Sequence, residues 1–223
     1  MKRRLKVLIV DDHPMIVEGY KNALLGIDES KYNLNITTAD SCDSAFDKIK
    51  RSVHTKPYDV VFLDIKLPPS ADGQILSGED LGVKVKQLLP NSKVAILTMF
   101  NDNFRINNIV ANVNPDGFLV KSDITSGELI HAFDTIVKDP PYYSHTIAKL
   151  LRKRMSSNIV LDEIDRGILY YLSKGTRTKN LPEYVKLSLA AIEKRKKNLK
   201  EAFGPDIQTD KDLLDKARDM GYI

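Results

Sequence analysis

One cysteine, Cys42, stands among 223 residues. A single thiol excludes an internal disulfide framework and a cysteine-rich zinc site, and it is compatible with a reducing cytosol. No apolar run approaches the roughly 18 residues that a membrane-spanning helix needs. The basic start, Met1 to Arg4, precedes an apolar run from Leu5 to Val10. That run is too short for a signal peptide and stops at Asp11 and Asp12, so it reads as a β-strand. There is no internal repeat and no low-complexity tract. Together these absences predict a soluble, cytoplasmic protein with no membrane contact.

What is present fits two small domains. Hydrophobic residues make up 42% of the chain, enough for packed cores. The net charge of +4 is unevenly spread. Met1 to Lys138 carries 17 basic and 18 acidic residues, whereas Asp139 to Ile223 carries 17 and 12. The smaller C-terminal part therefore holds all the basic excess. Nucleic acid is one explanation of such asymmetry, and a solvated lysine-rich helix is the other.

Over residues 1–138, short apolar runs alternate with helical patterns. Leu5–Val10, residues 34–39, Val60–Leu63, Val94–Leu97 and Gly117–Val120 read as five strands, and their near-continuous apolar character indicates a parallel sheet covered on both faces. Helical periodicity fills residues 15–25, 42–52, 79–89, 104–112 and 126–137. The alternation predicts an α/β fold, a doubly wound five-stranded parallel sheet, with a smaller all-α domain behind it. Residues 139–158 read as a linker that includes a short helix over 146–155. Residues 159–223 show helical periodicity alone, with helices expected over 161–172, 180–186, 189–203 and 210–220.

In such a sheet the C-terminal strand ends share one edge, where ligands bind. Asp11 and Asp12 follow strand one, Asp64 strand three, Thr98 strand four and Lys121 strand five. Three carboxylates, a hydroxyl and an ammonium would share one cleft. Clustered carboxylates attract a divalent cation, and Mg2+ takes oxygen ligands and phosphate. A carboxylate can also act as a nucleophile toward phosphorus, with cations stabilising the transferring group. Taken singly, each residue has a plainer role. Asp12 serves equally well as a helix cap, Lys121 as a surface lysine and Thr98 as a strand end.

The stretches Val7-Leu-Ile-Val-Asp-Asp-His-Pro14, Asp59-Val-Val-Phe-Leu-Asp-Ile-Lys-Leu-Pro68, Ala95-Ile-Leu-Thr98 and Gly117-Phe-Leu-Val-Lys-Ser-Asp123 resemble the receiver domain of two-component response regulators, over about 130 residues. The resemblance implies that Asp64 accepts a phosphoryl group from a sensor histidine kinase. It implies Mg2+ held by Asp11, Asp12, Asp64 and the backbone carbonyl of Lys66. Thr98 and Lys121 would contact the phosphoryl group, and Phe118 matches the aromatic switch position that turns inward as Thr98 moves. The chain would be a switch with only self-catalysed phosphorylation and dephosphorylation. One departure stands out. The segment Ile65 to Gly78 is about four residues longer than the usual family loop; it either tunes access and phosphoryl lifetime or is a tolerated surface insertion.

The C-terminal region resembles a LuxR-type helix-turn-helix. Leu161–Arg166, Leu169–Gly175, Leu187–Arg195, Leu199–Gly204 and Ala217–Ile223 carry the likeness. The resemblance implies binding to double-stranded DNA, as a homodimer when phosphorylated, and control of transcription; the last helix, near Leu213 and Leu214, reads either as a dimer surface or as intradomain core. Glu193, Lys194 and Lys197 would reach bases, while Arg195, Lys196 and Lys200 would meet phosphate or solvent. Pro182 departs from the pattern, so the scaffold helix should be short or begin late. Two other readings remain open: a receiver with a protein-binding output, and an Mg2+-dependent phosphohydrolase. Those hydrolases place an acid two residues after the nucleophile, where this chain has Lys66.

Overall fold

The computed structural model describes residues 3–28, 30–99, 103–155, 159, 161–220 and 222–223. In chain order the first part reads β1 (Arg3–Val10), α1 (Pro14–Leu25), β2 (Tyr32–Ala39), α2 (Cys42–Val53), β3 (Val60–Asp64), α3 (Gly78–Leu88), β4 (Lys93–Thr98), α4 (Asn103–Val113), β5 (Gly117–Val120), α5 (Ser126–Lys138), β6 (Tyr142–Tyr143) and α6 (His145–Met155). There follow α7 (Glu163–Ser173), α8 (Pro182–Val185), α9 (Leu189–Phe203) and α10 (Asp210–Asp219). The chain forms two compact units, with a boundary between Ile147 and Ala148 inside α6.

The sheet runs β2-β1-β3-β4-β5-β6, and every pairing is parallel. The apolar runs explain the centre of it. Val7 to Val10 are 0% exposed, so β1 is covered on both faces, as a parallel strand between helical layers must be. One core cluster gathers Ile9, Phe62, Leu97, Leu119 and Phe133. Phe133 of α5 stacks on Phe62 and meets Tyr32 edge-on.

The expected five-stranded sheet is one strand short. Tyr142 and Tyr143 pair with Gly117 and Phe118 as a sixth strand. The segment expected as a linker, 139–158, thus contains β6 and α6. Two residues carry no periodicity, so this strand exists only through its pairing with β5.

Asp116, just before β5, is a charged joint in the first unit. Its Oδ2 accepts from Lys86 Nζ at 2.5 Å and from the Val94 N–H at 2.9 Å, and Lys93 Nζ lies 3.3 Å from Oδ1. Burial alone would raise its pKa, but the Lys86 and Val94 hydrogen bonds and the two lysine charges outweigh it and hold the carboxyl below its ordinary range. A lowered folded pKa adds stability above the unfolded pKa, and that stability is lost as pH falls through the folded value. Asp116→Asn should therefore cost about 1–2 kcal/mol at neutral pH. The deficit should shrink in acid. Urea midpoints at about pH 7 and about pH 3 check this; a deficit that persists unchanged in acid would contradict it.

The second unit packs α7 to α10 around Ile168, Leu169, Leu181, Ile192, Leu199 and Leu213. Its helices start on side-chain caps. Asp162 accepts from Asp165 N–H, Ser188 from Ala191 N–H, and Thr209 forms a capping box with Asp212. The Asp162 cap starts α7 at Glu163, two residues later than its periodicity indicates. Pro182 occupies the first turn of α8, which is four residues long, because proline lacks the N–H that a helix interior needs. A 3-10 turn over Thr178–Asn180 precedes it. Among the described residues, no helix is long and apolar enough to cross a membrane.

Candidate functional site

The strand ends deliver the expected side chains to one edge of the sheet. Asp11 follows β1 and is anchored through its N–H to the Ala39 carbonyl at 3.1 Å. Asp64 is the last residue of β3, Thr98 the last of β4, and Lys121 follows β5. Asp11, Asp64 and Thr98 are 1%, 2% and 1% exposed. The Lys121 ammonium lies 2.6 Å from Asp11 Oδ2 and 3.1 Å from Asp64 Oδ2. It therefore reaches from β5 across β4 to two buried carboxylates, whose charges would otherwise be uncompensated.

The electrostatics follow from this packing. Burial pushes the Asp64 carboxyl up; the Lys121 charge and hydrogen bond oppose it, Asp11 adds to it, the Lys66 N–H opposes it, and the net shift is upward. Tyr20 of α1 feels the same field. Burial, then the charges of Asp11 and Asp64, raise its phenol, so it remains a hydroxyl. It lines a groove with Ile16, Ala23, Met99, Lys121 and Leu129. Tyr20 falls in the helical stretch expected over residues 15–25, with no role attached to it there.

Asp12 is half-buried, and its Oδ1 is sealed from solvent without an aligned hydrogen-bond partner. His13 Nδ1 lies 2.8 Å from Asp12 Oδ1 and 3.2 Å from Asp11 Oδ1. Asp11, Asp12, His13 and Asp64 each offer a ligand atom, all within 4.8 Å of one another. Three carboxylates, with the buried Asp12 oxygen met by the His13 ring alone among the described residues, fit a hard divalent cation. The nitrogen of His13 does not suit Mg2+, which prefers oxygen. His13 was outside the expected set, although its place beside two aspartates was visible in the sequence. Lys66 is exposed, and Phe118 is fully buried on β5.

The long loop after Asp64 is built rather than slack. The Ser70 carbonyl accepts from Gly73 N–H at 2.9 Å, and Asp72 Oδ1 accepts from Ser70 Oγ and Gln74 N–H at 2.6 and 3.0 Å. Asp43 of α2 accepts from Ala71 N–H, and Asp80 of α3 from Leu76 N–H. The loop ends where α3 comes down on the end of β3. A Cβ on Gly78 would sit 1.8 Å from the Asp64 carbonyl oxygen, so only glycine permits that approach.

In the second unit, α9 sorts its charged residues by face. Glu193, Lys194 and Lys197 are exposed. Arg195 Nη1 is held by Asp162 at 2.6 Å and Asp165 at 2.7 Å. Lys200 binds Asp210 at 2.9 Å and the Gln208 carbonyl at 3.0 Å. Lys196 corrects the expectation of a phosphate-facing or solvated side chain. It is 7% exposed, with Asp210 and Thr178 Oγ1 both at 2.7 Å. Its position on the buried stripe with Ile192, Leu199 and Phe203 turns it inward. Leu213 is buried in the domain core, and Leu214 packs partly buried against it.

Residues 7–134 match the response regulator receiver domain. Along the whole chain, the transcriptional regulatory protein MctR of Rhizobium johnstonii is 27% identical over 222 residues, covering 99% of this chain and 96% of that one. The oxygen regulatory protein NreC of Staphylococcus aureus is 23% identical over 212 residues, covering 90% and 91%. A structure of RcsB from Salmonella enterica serovar Typhimurium, bound to the promoter P1flhDC with a phosphomimetic, superposes with a TM-score of 0.62 at 19% identity, covering 96% of this chain and 98% of that one. At that identity the likeness concerns the fold. With the receiver match spanning more than half its length, this chain belongs to the response regulators.

Proposed function

We propose that this chain is a two-component response regulator that takes a phosphoryl group on Asp64 from a sensor histidine kinase and binds DNA through α9 to regulate transcription. The observation that carries the reading is the Lys121 ammonium spanning Asp11 and Asp64 at 2.6 and 3.1 Å. An Asp64 oxygen attacks phosphorus; the new P–O bond forms as the donor's bond to phosphorus breaks and the donor leaves with that electron pair. Lys121, already 3.1 Å from Asp64, receives the negative charge of the phosphoryl oxygens, and the Thr98 hydroxyl donates to one of them. Attack by water on phosphorus releases phosphate and restores the carboxylate. Asp11, Asp12, Asp64 and the Lys66 carbonyl would hold Mg2+, which when bound neutralises charge on the transferring group. Lys66 stands where hydrolases of small phosphoesters carry an acid, which favours a switch over a turnover enzyme.

For the output, Lys194 and Lys197 are the cations on the outward face of α9, and Glu193 can accept from a cytosine amino group. Arg177, Lys179 and Lys186 are exposed ahead of α9 and suit phosphate contacts. The relatives' printed roles, a transcriptional regulator and a promoter-bound protein, support this reading; a dimer would place its two recognition helices on half-sites about one helical turn apart. One observation favours a protein partner instead: Glu193 and Glu201 offset Lys194 and Lys197 on the exposed face. Lys197→Ala decides how far the helix reads DNA. It should weaken binding severalfold and reduce the salt slope by about one. Titrations at three salt concentrations check this, and an unchanged slope and affinity would remove Lys197 from the interface.

A further inference from the structure

The turn that carries Lys121 also anchors the start of α6. Lys121–Asp123 is a 3-10 turn directly after β5. The Asp123 carboxylate accepts three hydrogen bonds from the segment beyond α5: Ser144 Oγ at 2.8 Å, Thr146 N–H at 3.1 Å and Thr146 Oγ1 at 3.0 Å. Ser144 is 0% exposed, and its hydroxyl also accepts from Val120 N–H at 3.2 Å. The Ser144 N–H donates to the Phe118 carbonyl at 3.0 Å, and the Tyr142 N–H to the Asp116 carbonyl at 2.9 Å. The Tyr142 hydroxyl bonds Glu128 of α5. The strand bearing Phe118, the residue bearing the ammonium and the first turn of α6 are therefore one hydrogen-bonded unit.

We infer that β6 and the start of α6 form a strap, clamped by Asp123 and Ser144, through which the chemical state of Asp64 changes the first turn of α6 and so the chain entering the C-terminal domain. The inference rests on Asp64 being the phosphoacceptor. Lys121 now pairs with two carboxylates. A phosphoryl group on Asp64 changes where that ammonium is drawn, and Asp123 lies two residues further along the same turn. Bonds to a carboxylate are stronger than neutral ones. The carboxylate also sits at the positive end of α6, where an anion is favoured. Its pKa agrees: burial would raise it, but the Ser144 and Thr146 bonds and the charge of His145 lower it. A displacement of the turn thus moves the helix start or breaks the clamp, and either outcome alters the protection of the same amides.

Hydrogen exchange over residues 142–150 tests this, on full-length protein with and without acetyl phosphate and Mg2+, with occupancy followed by intact mass. In wild type, exchange in this segment should change by about tenfold on phosphorylation. Asp123→Ala and Ser144→Ala should be phosphorylated as wild type is, while the segment exchanges alike in both states. Ser144→Ala, the smaller change, keeps the test intact if Asp123→Ala folds poorly. Equal exchange in phosphorylated and unphosphorylated wild type would overturn the strap, as would a response that survives in the variants. Absence of any phosphoryl group on Asp64 would instead overturn the proposed function, and the strap with it.

Discussion

Asp64→Asn should abolish phosphoryl uptake from acetyl phosphate, with a fall of at least about a hundredfold in rate. The carboxamide has no anionic oxygen to attack phosphorus. It removes one of the three carboxylates that converge on the proposed cation site. The fold should survive, because the side chains match in shape and Lys121 keeps Asp11 at 2.6 Å. Intact mass against time, with circular dichroism as the control for folding, distinguishes lost chemistry from lost structure. Undiminished uptake by the variant would move the phosphoacceptor to another residue.

Gly78→Ala should be the most damaging small substitution near the site. Its Cβ would meet the Asp64 carbonyl oxygen at 1.8 Å and the carbonyl carbon at 2.8 Å. Neither atom can yield easily. Asp64 lies on β3, whose residues pair with β1 on one side and β4 on the other. Either α3 moves outward or the end of β3 moves, and the second displaces Asp64, the proposed phosphoacceptor. The cost should be roughly 3 kcal/mol, with slower phosphorylation of the protein that folds. Gly73→Ala is the matched control. It has φ +68 but nothing within 4 Å of the added methyl, so it should cost only about 1 kcal/mol and leave the chemistry alone. Denaturant midpoints and phosphorylation rates of both variants decide this. Equal behaviour would show that the approach of α3 does not matter.

The parts of this fold that were legible in the sequence are those that local pattern dictates. β1, β3, β4 and β5 are apolar runs, and the residues after them fall at the sheet edge by topology alone, so Asp11, Asp64, Thr98 and Lys121 could be gathered without coordinates. β6 could not, because Tyr142 and Tyr143 become a strand through pairing with Gly117 and Phe118. The loop after Asp64 is ordered by Asp72 within it and by Asp43 and Asp80 on other elements, so its length was visible and its anchoring to α2 and α3 was not. Lys196 is instructive in a different way. Its spacing from Ile192, Leu199 and Phe203 put it on the inward stripe, but a lysine there reads as basic surface. The partners that permit its burial, Asp210 and Thr178, are 14 and 18 residues distant. Tyr20 was missed because its relation to the carboxylates is one of space rather than of spacing, whereas His13 stands directly beside Asp12 in the chain and was passed over as a ligand.

On the proposed function, a phosphoryl group on Asp64 controls DNA binding by α9. A selection from random duplex DNA tests it most directly, run with wild type in acetyl phosphate and Mg2+, with wild type lacking the phosphodonor, and with Asp64→Asn. One sequence should enrich, with two half-sites about one helical turn apart. It should be bound most tightly by the phosphorylated wild type, with Asp64→Asn behaving like the untreated protein. Failure of any sequence to enrich in the phosphorylated state would contradict it and assign the C-terminal domain to a protein partner.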